Sequence, residues 1–267
     1  MIRESIELGV GSAATLETYV IQTPEGATPG IRRPLAIVCP GGGYNHLSTR
    51  EGEPIALALV GRGISACVLS YSVAPATYPQ ALRELARAMA VARSRAEAWE
   101  ADPDRILACG FSAGGHLAGC LAASWSEPWL AESVGAAPDD VRPNGLVLGY
   151  PVVSSGPFGH RGSFERLCGG DEALAARLSL ERRVTEGWPP TFLWHTAEDA
   201  TVPVENSLAL ASALSEKNVP FSLHVFPRGD HGASLGIADT ALAERPGHVQ
   251  AQVRAWPDLL VTWVAEL

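Results

Sequence analysis

A serine between two glycines is the first group in this sequence that could do chemistry. Ser112 lies in Gly110-Phe-Ser-Ala-Gly114, which matches the G-x-S-x-G pattern of an activated serine nucleophile. The apolar run 105–109 predicts a strand before it, and the small residues of 113–124 predict a helix after it. Ser112 is therefore expected on a tight strand-to-helix turn, where the glycines permit a strained backbone that exposes the hydroxyl. The alternative is a glycine-rich turn whose serine only caps the helix.

A serine hydroxyl is a weak nucleophile until a base removes its proton, and histidine is the usual base. His231 has the position expected for that base, because it follows the predicted strand 221–226 in the glycine-containing loop 227–232. The alternative is a solvent-facing loop histidine. The remaining histidines have no matching position after a late strand: His46, His116, His160, His195, His224 and His248.

The base in turn needs an acid that holds its orientation, and in this arrangement the acid comes between serine and histidine in chain order. Asp199 meets the condition, since it follows the predicted strand 191–196. Glu198 is its nearest competitor. Asp230 is adjacent to His231, which makes a side-chain hydrogen bond between the two geometrically awkward. The alternative for Asp199 is a cap on the following helix.

A run of three glycines, Pro40-Gly-Gly-Gly-Tyr44, follows the predicted strand 35–39. The second oxyanion donor of such sites lies in the loop after this strand. Because glycine has no side chain, its backbone N–H groups can approach a carbonyl oxygen closely. A phosphate-binding loop is the rival interpretation, but it requires Gly-Lys-Ser/Thr, or G-x-G-x-x-G with a ribose-binding acid, and neither pattern is present.

The elements that must position these residues alternate between short apolar runs and longer helical patterns. This alternation predicts an α/β fold with a mostly parallel central sheet and helices on both faces. The predicted strands are 35–39, 64–71, 105–109, 144–150, 191–196 and 221–226. The predicted helices are 53–60, 79–99, 113–124, 204–217 and 248–266. Pro257 is expected to kink the last of them.

Two segments fall outside the alternation. Residues 1–30 are expected to form an antiparallel edge of the sheet. Residues 151–190 are too long for a simple connection and are rich in glycine and proline, so they predict a small lid or substrate-loop insertion. Because no compositional break or internal repeat divides the chain, a single domain over 1–267 is expected.

The composition argues against several classes of function. Apolar residues make up 46% of the chain and charged residues 18%, as in a globular protein. A net charge of −9 with scattered basic residues argues against binding to nucleic acid or to an anionic membrane. The five cysteines form no CxxC pair and are expected to be core thiols. Residues 1–11 carry charges where the apolar part of a signal peptide would lie, so a cytoplasmic location is expected.

In combination, the motifs resemble those of small α/β-hydrolase esterases related to acetyl xylan esterases and to the hormone-sensitive-lipase clan. The resemblance rests on four stretches: Pro40–Tyr44, Gly110–His116, His195–Pro203 and Asp230–Gly232. It implies the α/β-hydrolase fold, a triad of Ser112, Asp199 and His231, and no metal or organic cofactor. It also implies three backbone N–H groups as oxyanion donors, those of Gly42, Gly43 and Ala113. One position departs from the hormone-sensitive-lipase pattern, which has a histidine where this chain has Pro40, but acetyl-esterase relatives tolerate proline there.

The resemblance implies hydrolysis of short-chain acyl esters, above all acetyl esters, with acetylated sugars or xylo-oligosaccharides as substrates. Tyr44, Asn45 and His46 are expected near the floor of a small acyl pocket, with 151–190 in its wall. A small-molecule ester is the only partner expected, and homo-oligomerisation is left open. Two alternatives stay open: a peptidase or formamidase that uses the same triad on an amide, and a binding protein that kept the fold and lost catalysis.

Overall fold

One sheet of eight strands forms the centre of the protein. The structure, a computed structural model, describes residues 1–267. Its strands are β1 (Ser5–Glu7), β2 (Thr15–Tyr19), β3 (Arg33–Cys39), β4 (Ser65–Ser70), β5 (Ala101–Phe111), β6 (Gly145–Gly149), β7 (Thr191–Thr196) and β8 (Phe221–Phe226). In space they are ordered β1-β2-β4-β3-β5-β6-β7-β8. The β1–β2 and β2–β4 pairs are antiparallel. The remaining pairs, from β4 through β3, β5, β6 and β7 to β8, are parallel.

Helices cover both faces of this sheet. They are α1 (Glu53–Val60), α2 (Gln80–Ser94), α3 (Ala113–Ser124), α4 (Pro128–Glu132), α5 (Pro138–Val141), α6 (Arg161–Cys168), α7 (Glu172–Arg177), α8 (Glu205–Glu216) and α9 (Trp256–Val264). On one face, Ile55 of α1 and Leu260 of α9 belong to a cluster of 21 buried residues. On the other face, Leu85 of α2, Leu121 of α3 and Leu214 of α8 belong to a cluster of 53. Burial on both faces explains why the central strands are continuous apolar runs.

The predicted alternation and the antiparallel edge are confirmed, since each predicted strand is present and β1 and β2 lie within residues 1–30. The prediction of one helix over 248–266 is wrong, because α9 begins only at Trp256 after two short 3-10 turns. Pro257 lies in the first turn of α9. A proline there removes an N–H that has no acceptor in any case, so it starts the helix instead of kinking it.

Two other bounds differ by several residues. α2 ends at Ser94 and not at 99, and the chain turns before it enters β5. β5 begins at Ala101, earlier than predicted, because that residue pairs with Arg33 across a register shift in the neighbouring strand. No helix of the protein has both the length and the apolar character needed to cross a bilayer.

The predicted insertion 151–190 folds into α6, α7 and a short 3-10 turn. Its start is fastened to α8, because the amide oxygen of Asn206 accepts the N–H groups of Val153 at 3.0 Å and Ser154 at 3.1 Å. Farther along, the Leu180 N–H donates to the Val153 carbonyl at 3.0 Å. The end of the helical part of the insertion thus contacts the first residues of the insertion.

Four parallel strands deliver the predicted functional residues to one edge of the sheet. The glycine run follows β3, Ser112 follows β5, Asp199 follows β7 and His231 follows β8. The carboxyl ends of parallel strands lie on the same side of a sheet, and the crevice outside them is the usual ligand site of such folds. The loops that carry these residues therefore meet at that edge.

A buried histidine joins three parts of this edge. His116 of α3 is fully buried, and its Nε2–H donates to the Leu178 carbonyl of the insertion at 3.0 Å. The Tyr44 hydroxyl, from the loop after β3, donates to its Nδ1 at 2.9 Å. Burial lowers the pKa of His116 to about 4, so the side chain stays neutral in the folded protein.

This neutral histidine should make the protein sensitive to acid. Between pH 6.5 and about 4 the unfolded chain binds a proton at His116 that the folded chain does not. The stabilisation is therefore complete above the unfolded pKa and is lost as the pH falls towards 4, a change on the order of 3 kcal/mol. Free energies of unfolding in urea across this range measure it. The His116→Gln variant, which has no titrating group there, should show a shallower dependence; identical slopes for both proteins would contradict the assignment.

Candidate active site

Ser112 lies on a strained turn between β5 and α3. Its backbone angles are φ 53° and ψ −119°, in a region that residues with side chains rarely adopt. Hydrogen bonds hold the turn from both sides: the Ser112 N–H donates to the Gly149 carbonyl, and the Val152 N–H donates to the Ser112 carbonyl, both at 3.0 Å. The strain is fixed by β6 and the segment after it, and Ser112 is held at one place at the sheet edge.

Glycines on either side allow the turn to pack this closely. A Cβ atom at Gly114 would lie 2.1 Å from the Cys39 carbonyl oxygen at the end of β3. A Cβ at Gly110 would lie 2.1 Å from the Gly114 carbonyl oxygen. Neither position tolerates a side chain, because the contacting atoms belong to the backbone and cannot move away. The glycines of the G-x-S-x-G pattern are thus required by packing between β3, β5 and α3.

The structure brings the three residues of the predicted triad into one hydrogen-bonded chain. Ser112 Oγ is 2.8 Å from His231 Nε2, and His231 Nδ1 is 2.6 Å from Asp199 Oδ2. Because a carboxylate can only accept, the Nδ1–H of His231 donates to Asp199. The Nε2 lone pair is then free to accept the serine proton, which is the tautomer that a general base needs.

Asp199 is buried and firmly held as a carboxylate. Its Oδ1 accepts the N–H groups of Thr201 and Val202 at 2.9 Å each. Its Oδ2 accepts from His231, and the Nε2 of His195 lies 3.4 Å from the same oxygen. Burial raises the pKa of Asp199, but the contacts with His195, His231 and the Val202 N–H outweigh it and hold that pKa well below its usual range. The negative charge opposite His231 therefore persists through mildly acidic conditions.

His231 is held from behind by residues that the sequence did not indicate. The Nε2–H of His248 donates to the His231 carbonyl at 2.9 Å, and the Tyr150 ring meets the imidazole edge-on with 5.1 Å between centroids. Arg50 donates to the Gly232 carbonyl at 2.8 Å. His248 follows no late strand, and Tyr150 and Arg50 reach this loop from distant parts of the chain, so no local pattern marks them.

The glycine run carries two free backbone donors. Gly42 and Gly43 have φ angles of +123° and +63°, and neither N–H donates a hydrogen bond within the protein. The loop comes close to the serine, because a Cβ at Gly41 would lie 2.9 Å from the Ser112 Cβ. Ala113 is the first residue of α3, so its N–H has no acceptor inside that helix. The three predicted oxyanion donors thus have no partner within the protein, and Gly42 and Gly43 line the same cleft as Ser112.

These groups surround an open cleft of about 300 Å³. Its lining residues come from the loops at the sheet edge and from the insertion: Gly42, Gly43, Asn45, His46, Ser48, Arg50, Glu51, Ser112, His160, Arg166, Thr201, His231, Gly232, Leu242 and Arg245. Leu242 is the only apolar side chain among them. Because His160 and Arg166 belong to the insertion, it does contribute to the wall, as predicted.

One predicted substrate-binding residue lies elsewhere. Asn45 and His46 line the cleft and are exposed at its rim. The prediction for Tyr44 is wrong: its side chain is 2% exposed and belongs to the hydrophobic core, where its hydroxyl bonds to His116. The reason is local, since Tyr44 has a φ of 56° and its side chain turns away from the cleft.

A buried glutamate connects the two halves of the site. Glu51 is 2% exposed, and its Oε2 accepts the Gly41 N–H at 2.8 Å. Its Oε1 accepts the Tyr150 hydroxyl at 2.7 Å, and the Tyr150 oxygen accepts the Ser234 N–H at 3.1 Å. The glycine run is thereby tied, through one carboxylate, to the loop that carries His231. No local sequence pattern marks Glu51, because nothing in its neighbourhood distinguishes it from an exposed turn residue.

Two protein families match parts of this chain, and a solved structure matches nearly all of it. Residues 82–245 match the prolyl oligopeptidase family, and residues 21–142 match the BD-FAE family. The solved acetyl ester-xyloside bifunctional hydrolase from Caldicellulosiruptor lactoaceticus is 36% identical with a TM-score of 0.83, covering 98% of this chain and 96% of that one. This similarity over the whole chain, together with the eight-stranded sheet, confirms the predicted α/β-hydrolase fold.

Two curated relatives are longer than this chain. Endo-1,4-beta-xylanase B of Butyrivibrio fibrisolvens is 38% identical over 77% of this chain and 33% of its own length. The acetylxylan esterase of Xylanibacter ruminicola is 30% identical over 74% of this chain and 40% of its own length. The chain therefore matches between about a third and two fifths of these relatives.

The carboxylate of Glu51 should matter for turnover even though it does not touch the serine. In Glu51→Gln a single amide oxygen replaces two acceptors, so either the Gly41 N–H or the Tyr150 hydroxyl loses its buried partner. We expect kcat/KM for a simple ester to fall about 10- to 100-fold, the effect of losing a buried hydrogen bond to a charged group. Glu53→Gln is the matched control, because Glu53 is exposed. Wild-type kcat/KM in Glu51→Gln would refute this role.

Proposed function

Since the chain belongs to the prolyl oligopeptidase family and has the α/β-hydrolase fold, we propose that it is a serine hydrolase that cleaves short-chain acyl esters. The observation that carries the proposal is the hydrogen-bonded chain from Ser112 through His231 to Asp199. The names of its relatives support an ester as the substrate, because they include an acetylxylan esterase and an acetyl ester-xyloside hydrolase.

In the first half-reaction His231 acts as the general base. Its Nε2 accepts the proton of the Ser112 hydroxyl while Oγ attacks the ester carbonyl carbon. The negative charge that develops on the carbonyl oxygen is stabilised by the N–H groups of Gly42, Gly43 and Ala113, aided by the N-terminal end of α3. When the tetrahedral intermediate collapses, the imidazolium gives its proton to the departing alcohol, and an acyl group remains on Ser112.

In the second half-reaction water replaces the alcohol. His231 takes a proton from the water, the hydroxide attacks the acyl carbonyl, and the Ser112 oxygen leaves with the proton that His231 returns. Asp199 keeps the imidazole in its productive tautomer and stabilises the positive charge that His231 carries twice in the cycle. The low pKa of Asp199 suits this role, because the carboxylate stays charged throughout the cycle.

The size and polarity of the cleft favour a small acyl group on a polar alcohol. A volume of about 300 Å³ leaves little space for a long fatty chain, and Leu242 alone offers apolar contact. We therefore propose acetyl esters, and acetylated sugars or xylo-oligosaccharides, as the substrate class. An amide leaving group remains the second candidate, because the matching prolyl oligopeptidase family is named for peptide cleavage.

We also propose that this chemistry takes place in the cytoplasm on a small-molecule ester, with no nucleic-acid or membrane partner. All five cysteines are unpaired and buried, which suits a reducing compartment. The net charge of −9 disfavours anionic surfaces. Homo-oligomerisation is compatible with the chain, and light scattering on the purified protein reports it.

Labelling of the serine tests the mechanism. A fluorophosphonate should modify wild-type protein at Ser112 and leave Ser112→Ala unlabelled. In Asp199→Asn the imidazole loses its orienting partner, so kcat should fall by about 10⁴. Ser222→Ala is the control, since Ser222 lies in β8 outside the cleft. Equal labelling of wild-type and Ser112→Ala would contradict the proposal.

The acyl-chain preference tests the proposed substrate class. 4-Nitrophenyl acetate should be hydrolysed with a kcat/KM at least about tenfold above that of the octanoate, since one to two buried methylenes of misfit already change binding by this factor. Acetylated xylo-oligosaccharides and 4-nitroanilides are compared in parallel. Equal rates on both chain lengths would exclude a small acyl site, and faster cleavage of the anilide would favour the amide alternative.

A further inference from the structure

The cleft beside Ser112 differs in charge from the rest of the protein. The chain as a whole carries a net charge of −9. Three arginines nevertheless line the cleft, and the only carboxylate in its lining is Glu51. The arginines come from three separate segments: Arg50 before α1, Arg166 in α6 and Arg245 before α9. Positive charge is therefore gathered where substrate enters, on a protein that would repel anions elsewhere.

The two buried carboxylates at the cleft already have partners, and Asp230, which lies against Gly247, forms no ion pair with an arginine. Glu51 accepts from the Gly41 N–H and the Tyr150 hydroxyl, and Asp199 accepts from His231 and two backbone N–H groups. Neither forms an ion pair with an arginine of the cleft. The charges of these arginines are thus not balanced by a direct partner within the site.

Two of the arginines keep donors available for a ligand. Arg50 uses its Nη1 on the carbonyls of Gly232 and Thr240, which fixes it as part of the loop after His231. Arg166 uses only Nη1, on the carbonyls of Gly43 and Gly162, and its other nitrogens bond to nothing in the protein. The guanidinium of Arg245 makes no hydrogen bond within the protein, and its chain segment adjoins His248, which supports His231.

Both free guanidinium groups line the cleft that holds Ser112 and His231. Arg166 contacts the glycine run, so it lies on the oxyanion side. Arg245 belongs to the segment that carries His248, whose Nε2–H donates to the His231 carbonyl. A guanidinium presents parallel N–H donors that match the two oxygens of a carboxylate, and such pairs are stronger than neutral hydrogen bonds.

We propose that the natural ester substrate carries a carboxylate that Arg166 and Arg245 bind. This inference rests on the ester hydrolysis proposed above and narrows its substrate class. The carboxylate belongs either to the alcohol part, as in an ester of an acidic sugar, or to the acyl part, as in a half-ester of a dicarboxylic acid. Both sources present the same chemistry to the arginines, and matched substrates distinguish them.

The test uses two pairs of esters, and in each pair a methyl ester replaces the free carboxylate of the charged member. For the alcohol part the pair is 3-acetoxybenzoate and its methyl ester. For the acyl part it is mono-4-nitrophenyl glutarate and its methyl ester, with spontaneous hydrolysis subtracted. We expect the charged member of at least one pair to have a kcat/KM about tenfold above that of its neutral partner, and 0.5 M salt to weaken this preference by screening.

For each arginine variant, kcat/KM for the charged ester is divided by kcat/KM for its neutral partner. This ratio cancels any general effect of the substitution on the glycine run. Arg166→Gln or Arg245→Gln should lower the ratio severalfold, and the double variant should bring it close to one. Arg161→Gln is the control, because Arg161 is exposed on the same helix as Arg166 but lines a different pocket. Its ratio should equal that of the wild-type protein.

Three results would overturn the inference. If the neutral ester is hydrolysed as well as or better than the charged one in both pairs, the arginines do not select an anion, and the proposed ester hydrolysis stands without this refinement. An unchanged ratio in the double variant has the same meaning. If none of the four esters is hydrolysed by the wild-type protein, the proposed function fails and the inference fails with it.

Discussion

The structure depends on one close backbone contact at the ends of β3 and β5. The turn at Ser112 adopts a φ of 53°, and it can do so because Gly114, in the first turn of α3, approaches the end of β3 more closely than any side chain would allow. A strained turn persists only where its surroundings fix it. Here the bonds to Gly149 and from Val152 supply that restraint. The positions of the glycine run, the serine and the start of α3 all follow from this contact.

Around the turn, two buried carboxylates hold the groups that carry out the reaction. Asp199 holds the imidazole from one side, and Glu51 holds the glycine run and Tyr150 from the other. Both carboxylates are buried in the protein interior. Electrostatic interactions are stronger there than in water. The site is therefore preorganised by hydrogen bonds within the protein. Two arginines of the cleft keep free donors: Arg166 uses only its Nη1, and the guanidinium of Arg245 makes no hydrogen bond within the protein.

Much of this could be predicted from the sequence, because chain order alone limits which loops meet in a parallel sheet. Ser112, Asp199 and His231 each follow a strand, and the structure brings their side chains into contact. Tyr44 could not be placed in this way, since proximity to the glycine run says nothing about the direction of a side chain at positive φ. The role of Glu51 could not be predicted for another reason: its carboxylate accepts a hydrogen bond from Tyr150, which is 99 residues away in the sequence. Contacts of that range follow from packing, which periodicity and local motifs do not report.

The central claim is that Ser112 is acylated during turnover, and direct trapping of the acyl-enzyme tests it. The protein is mixed with 4-nitrophenyl acetate, quenched in acid within milliseconds and digested for peptide mass spectrometry. An acetyl group is expected on the peptide of the β5–α3 turn, located on Ser112, and none is expected on that peptide in Ser112→Ala. Acetylation at another residue during rapid turnover, or turnover by Ser112→Ala at the wild-type rate, would contradict it.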